Sequence, residues 1–522
     1  MLSSIPVIGF AKQQKPNIIL FLVDDMGWQE CSVPFGKEAS DLNRRYHTPN
    51  MGRMSKMGVK FTNAYACAIS SPSRCSLMSG MNAARHRVTN CTLQYDQVTD
   101  APGGDIIMPD WNYNGIQPVG VTSEKDIKST VVITAFPQIL CDNGYYTIHC
   151  GKAHFGAIET TGADPSSFGF DVNIAGGDNG APGSYLAENE YGTGLFHIMR
   201  LEKYYRAGTF LTEALTIEAL EALKKPIAEE KPFYLYMSHY AIHAPYQNNA
   251  DKRFISNYMD VDGQGKFDPF IGERLNENEI NHAALIEGMD KSLGNILDFL
   301  EANPKVMKNT IVMFMSDNGG QSVGPRQGRI NRDQNYPARA GKGSAYEGGV
   351  HEPMMVYWPG VTKGSTVNDN RVIIEDFYPT ILEMAGIKGY KTVQKIDGKS
   401  FVDLLKKPSK KCDRVAVWHY PNRWGETTDK SEGYGAYSSI MKGDYHLIYF
   451  WENQEHRLYN IREDIGKQNN LAAVMPELVE LLSKELTDSL KGYDAQCPRL
   501  KATGELVAWP FKVTTIGKSI KK

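Results

Sequence analysis

The chain has 522 residues, 41% of them apolar and 22% charged, with 48 glycines and 26 prolines; this is the profile of a loop-rich globular protein too long for one ordinary core. A net charge of −3 and a pI near 6.5 leave no basic stripe for a nucleic-acid partner and no polybasic anchor for a membrane surface, and no stretch reaches the ~20 apolar residues of a membrane-spanning helix. The eight cysteines form no C-x-x-C pair and no zinc spacing, so neither a metal ribbon nor a disulfide framework is indicated.

Residues 1–14 carry a short apolar run, Ile5 to Phe10, read as the remnant of a secretory signal lacking its basic start or as a loose tail. NIILFLV (17–23), KPFYLYMSH (231–239) and TIVMFMS (310–316) are almost continuously apolar, which suits strands buried on both faces of a mostly parallel sheet. Between them, FLTEALTIEALEALKK (210–225) and residues 279–303, where Ile286, Met289, Leu293, Leu297 and Leu300 recur at helical spacing, read as crossover helices. After the lysine-rich segment 406–414 the pattern shifts to hairpin-like strands, VAVWHYP (415–421) and YSSIMKGDYHLIYF (437–450), and a late amphipathic helix at 475–490. The expected architecture is a large α/β unit over 15–405 and a smaller α+β unit with an antiparallel sheet over 406–522.

Asp24 and Asp25 directly follow the first strand, and Asp317 and Asn318 follow TIVMFMS, so both pairs fall at carboxyl ends of sheet strands, where open α/β sheets bind ligands. Three carboxylates and an amide sharing one crevice would call for a cation, and all-oxygen ligation points to Ca²⁺ or Mg²⁺ rather than zinc or copper. Either pair alone reads rather as a cap on the loop or helix after its strand; the two at matching strand ends are what suggest a metal.

ISSPSR at 69–74 reads as a helix start, with Ser71 as N-cap and Pro72 in the first turn. A helix N-terminus also offers free N–H groups and a positive dipole end to a tetrahedral anion, and Arg74 can turn its fork toward the same place. Ser70 needs activation, because no Gly-x-Ser-x-Gly elbow surrounds it. His239 and His243 have the spacing of a zinc-protease helix, but Tyr240 replaces the required glutamate; GKGS lacks Walker spacing.

The run Ser70-Ser71-Pro72-Ser73-Arg74 followed by Leu77, Ser79 and Gly80 resembles the signature of the type I sulfatases of the alkaline phosphatase superfamily. In that family the first position, Cys or Ser, is converted to formylglycine, whose hydrate attacks sulfur with one hydroxyl and retains a second to expel sulfate. The similarity continues in family order. FLVDDMGW and FMSDNGG resemble the calcium-binding segments, which gives Asp24, Asp25, Asp317, Asn318 and residue 70 as ligands. GKAHFG resembles the element that supplies Lys152 and His154, SHYAIHAPY supplies His243, and GKGSAYEGGVHEP supplies Lys342. LYNIREDIGKQNNLA resembles the family's smaller domain. His351 stands where many members carry arginine, and Ala153 and Phe155 replace a common Trp and Leu.

The resemblance implies an alkaline-phosphatase-like fold and a sulfuric ester hydrolase with Arg74, Lys152 and Lys342 stabilising charge, His243 as general acid and His154 as base. It also implies a serine-type maturation enzyme acting on Ser70, a sulfated carbohydrate as substrate, and a periplasmic or secreted location. Arg85, His86 and Arg87 past the signature, with His419, Arg423 and Trp424 of the second unit, are candidates for contacting the sugar. A phosphodiester or phosphonate hydrolase, and a silent binder of sulfated glycans, are the competing expectations.

Overall fold

The computed structural model describes residues 15–321, 334–425 and 429–517; the expected signal remnant at 1–14 lies outside them. Eight strands form the main sheet: β1 (Asn17–Val23), β2 (Val59–Tyr65), β3 (Tyr146–Gly151), β4 (Val172–Ile174), β5 (Phe233–Ser238), β6 (Thr310–Ser316), β7 (His351–Tyr357) and β8 (Thr366–Ile373). Their order is β8-β2-β7-β6-β1-β5-β3-β4, and β7 alone runs against its neighbours. This is the mixed, mostly parallel sheet that the continuous apolar runs imply.

Strand β1 shows why those runs lack alternation. Ile19, Phe21 and Val23 face helices α1 (Pro49–Met57), α3 (Leu211–Ala228) and α4 (Glu277–Glu301), while Ile18, Leu20 and Leu22 face α2 (Ser70–Ser79) and α5 (Phe377–Met384). Successive side chains point to opposite faces, and both faces are covered. Helix α4 starts at a reciprocal cap: Asn276 Oδ1 accepts the Glu279 N–H at 2.9 Å, and Glu279 Oε2 accepts the Asn276 N–H at 2.8 Å.

Helix α2 corrects one local expectation. Its N-cap is Ile69, and Ser71 makes no cap bond, because its Oγ accepts the Thr92 N–H at 3.1 Å instead. Pro72 falls in the first turn, where its missing N–H has no intrahelical partner to lose.

The second sheet is antiparallel and follows chain order: β9 (Ala416–Tyr420), β10 (Tyr437–Lys442), β11 (Tyr445–Phe450) and β12 (Glu455–Asn460). One face, through Ile440, Leu447 and Leu458, packs on Leu482, Leu486 and Leu490 of α6 (Pro476–Gly492). The other, through Trp418, Met441 and Ile448, packs on Tyr65, Ile69, Tyr346 and Val350 of the main unit. That second face is the one that reaches the site.

Candidate functional site

The site lies at the carboxyl ends of β1, β3, β5 and β6. The register Val23↔Ser316 places Asp24 beside Asp317, and the Asp317 N–H donates to Val23 O at 3.0 Å. Lys152 follows β3 and donates its backbone N–H to Ser238 O at 2.7 Å, and the segment after β5 turns back so that Ala241 O accepts the Asp24 N–H at 2.9 Å. Because β7 is antiparallel, its amino end lies at the same edge, and the segment preceding it brings in Lys342.

Asp24, Asp25 and Asp317 are fully buried, each with a carboxylate oxygen within 4.8 Å of the others. Ser70 Oγ, at the start of α2, is 3.1 Å from both Asp24 Oδ1 and Asn318 Oδ1 and accepts the Lys152 ammonium at 3.0 Å. Lys152 also donates to both Asp24 oxygens, at 2.9 and 2.7 Å. Arg74 donates from Nε to Asp317 Oδ2 at 2.9 Å and from Nη1 to Ser238 Oγ at 2.6 Å, and its Nη2 lies 2.8 Å from the same Asp317 oxygen as an ion pair. Lys342 Nζ reaches Asp25 Oδ1 at 2.6 Å, and Asn318 Nδ2 donates to the same oxygen at 2.8 Å.

Three buried carboxylates face three buried cations. Burial alone would push the Asp24 and Asp25 carboxyls up, but the surrounding positive groups, Lys152 foremost at Asp24 and Lys342 at Asp25, together hold both below the ordinary carboxylate range. Asp25 Oδ2, buried, receives no hydrogen bond. With Asn318 Oδ1 and Ser70 Oγ alongside, the donor set is all oxygen, and it fits a hard divalent cation.

Two histidines flank this cluster. His154 Nε2 donates to Thr92 O at 2.7 Å, which leaves Nδ1 as the acceptor; burial and the Lys152 charge press its pKa well below 6.5, so the ring is neutral. His243 Nδ1 is 2.8 Å from Ala244 O, which accepts its proton, and Nε2 points to Asp25 Oδ2 at 3.5 Å. Thus the chain gathers Asp24, Asp25, Ser70, Arg74, Lys152, His154, His243, Asp317, Asn318 and Lys342 at one locus. Thr92 and Ser238, which orient His154 and Arg74, were missed; Ser238 had only its place at a strand end as a signal.

The six expected sugar contacts divide. Arg85 forks onto Asp397 at 2.8–3.1 Å and lies over Tyr493, Arg87 donates to Asp494 O at 2.7 Å, and both tie the segment after α2 to the end of α6. His86 is fully buried against Ser76 Oγ at 2.9 Å, and His419 against Ser438 Oγ at 2.8 Å. Arg423 pairs with Glu452. Each of these five has a polar partner in the fold away from the acidic cluster, and none is carried into the site. Trp424 differs: its ring lies 5.5 Å from Lys342 Nζ, at the edge of the cluster.

The sulfatase family matches residues 16–387, and the C-terminal family of N-sulphoglucosamine sulphohydrolase matches residues 341–495. A sulfatase of Formosa agariphila is 28% identical over 529 residues, which cover 92% of this chain and 89% of that one. N-acetylgalactosamine-6-sulfatase of Rattus norvegicus is 28% identical over 399 residues, 74% of this chain and 65% of that one. Among solved structures, Ps i-CgsB in complex with k-i-k-neocarrahexaose superposes with a TM-score of 0.65 at 24% identity, covering 91% of this chain and 93% of that one.

Proposed function

This chain belongs to the sulfatase family and is a sulfatase, and from that premise we propose that it removes an O-sulfate from a carbohydrate, using Ca²⁺ and a formylglycine made from Ser70. The observation that carries this reading is the position of Ser70 Oγ, 3.1 Å from Asp24 and Asn318 and 3.0 Å from Lys152. The sugar-directed relatives support the substrate class.

Asp24, Asp25, Asp317, Asn318 and residue 70 would hold the cation, and Ca²⁺ suits a crowded all-oxygen set better than Mg²⁺, which keeps several waters. When bound and formed, the cation and the aldehyde hydrate supply Lewis-acid charge and a nucleophile that carries its own exit hydroxyl. The rest is the work of this chain's side chains. Lys152 sits against the oxygen of residue 70 and favours its deprotonated form. Arg74, Lys152 and Lys342 face the space where sulfate oxygens gain charge, and losing one such donor costs roughly 10²- to 10³-fold in rate by analogy with oxyanion sites. Protonated His243 Nε2 donates to the departing sugar oxygen, and His154 Nδ1 takes the proton from residue 70. A maturation enzyme acting on Ser70 and a periplasmic or secreted location belong to the same reading.

Mass spectrometry of the tryptic peptide Phe61–Arg74 tests it: a species lighter by two hydrogens at Ser70 is expected from the native source. Ser70→Ala should abolish sulfate release from sulfated sugars with the fold intact. Full activity in that variant, or release of phosphate from diesters in place of sulfate, overturns the assignment.

A further inference from the structure

The crevice has two walls that the catalytic cluster does not explain. On the Lys342 side stands Trp424. On the His154 side runs the segment Gly176–Gly180: Gly177 O accepts the His154 N–H at 3.1 Å, and a Cβ built on Gly180 would lie 2.9 Å from His154 Cε1. Asp178 lies between these two contacts. Its segment is pinned, because the Asn179 amide donates to Leu195 O at 2.7 Å and His197 O at 3.1 Å, and Asn173 Oδ1 accepts the Gly176 N–H at 2.9 Å.

Asp178 itself is only partly exposed, yet among the described residues no other side chain donates to its carboxylate. Incomplete hydration pushes that carboxyl above its ordinary range. A fixed, half-desolvated acceptor beside a catalytic histidine, met among the described residues by its own backbone N–H and by no other residue's side chain, keeps acceptor capacity for a ligand. Its neighbours Gly176, Gly177, Asn179 and Gly180 are buried, so Asp178 is the one residue of this segment that keeps solvent access.

We propose that Asp178 is a specificity-determining residue: its carboxylate accepts a hydrogen bond from a hydroxyl or amide N–H on the sugar ring beside the sulfated position and repels a second sulfate or carboxylate there. The preferred substrate is then a sugar ring with one sulfate and an uncharged hydrogen-bond donor on the His154 side, its other face against Trp424. This rests on the reading of the protein as a carbohydrate sulfatase. A site built to receive a donor discriminates strongly against a ligand without one, and a like charge in the same place is rejected more strongly still.

The test compares three probes on the matured enzyme: N-acetylgalactosamine 6-sulfate within a panel of monosulfated monosaccharides, glucosamine 2-N,6-O-disulfate, and 4-nitrophenyl sulfate. Wild type is expected to favour a monosulfated sugar over the disulfate by at least tenfold in kcat/KM. Asp178→Ala should lose about 10- to 100-fold on that sugar, chiefly through KM, lose less on the aryl ester, and narrow the gap to the disulfate. Asp178→Asn, which keeps an acceptor oxygen without the charge, should recover the monosulfated sugar in part and relax the rejection of the disulfate. Equal losses on sugar and aryl ester would mean that the segment only positions His154; that result, or no loss at all, overturns the proposal and leaves the carbohydrate reading standing. Sulfate release from the aryl ester and from no sugar overturns the carbohydrate reading itself.

Discussion

Glu30 is fully buried behind the Asp24–Asp25 turn, where its Oε2 accepts the Gly27 N–H at 2.7 Å and its Oε1 lies 3.3 Å from the Tyr46 hydroxyl and 3.5 Å from His282 Nε2. Burial pushes its carboxyl up from 4.5 to about 8, and the Gly27 N–H and the Tyr46 hydroxyl offset only part of that. The native state therefore keeps a proton that the unfolded chain releases, so this group's contribution is full below pH 4.5 and is lost as pH rises through about 8. At ~1.36 kcal/mol per unit, about 3 kcal/mol is lost between pH 6 and pH 9, an order-of-magnitude figure. Glu30→Gln carries a permanently neutral group of the same shape, so its melting temperature should fall less than the wild type's across that range. Parallel melting curves for the two proteins at every pH would show that Glu30 is ionised throughout.

The segment from Ala338 to Gly349, which delivers Lys342, is clasped by the connection between β9 and β10 of the second sheet. Ser344 Oγ donates to Glu432 O at 2.7 Å, the Gly341 N–H to the Tyr434 hydroxyl at 3.2 Å, and Arg339 forks onto Glu432 at 2.8 and 2.9 Å. Beneath it, Glu347 meets Lys467 at 2.9 Å and His446 at 3.2 Å, all fully buried. Burial would raise the Glu347 carboxyl, but Lys467 and His446 hold it down at about 2; its contribution is present above 4.5 and is lost as pH falls toward 2. Lys467→Met strands a buried charge, so it should cost about 3–5 kcal/mol and lower kcat by loosening Lys342, while adding Glu347→Gln should recover much of the loss in thermal unfolding. A single variant as stable as wild type would remove the clasp. None of this was legible in GKQNNLA, where a lysine reads as solvated; its burial is decided by Glu347, over a hundred positions away. The partners of Arg85, Arg87 and His419 were hidden for the same reason, since Asp397, Asp494 and Ser438 are distant in sequence or on another element. The strand ends were legible because a doubly buried strand must be continuously apolar, and a polar pair at its end is then conspicuous.

Taken as one body, the molecule draws Asp24, Ser70, Lys152, His243, Asp317 and Lys342 from segments spread over most of the main unit onto one point, so their mutual charges are part of the stability of the whole. Three carboxylates balanced by Arg74, Lys152 and Lys342 share a desolvated space, where charge interactions are several-fold stronger than in water. A divalent cation that binds this cluster in the native state and not in the unfolded chain stabilises by mass action, about 2.7 kcal/mol at a hundredfold excess over Kd. Its withdrawal should therefore lower the melting temperature as well as turnover. Because the cluster is tied through the Lys342 segment to the second sheet, the shift should appear in one cooperative transition rather than as a separate early one. Exhaustive chelation followed by calorimetry checks this, with Ca²⁺ restoring both melting temperature and sulfate release and Mg²⁺ restoring less of each. Unchanged melting and turnover after chelation would show that the cations Arg74, Lys152 and Lys342 neutralise the carboxylates unaided, and the metal would drop out of the mechanism.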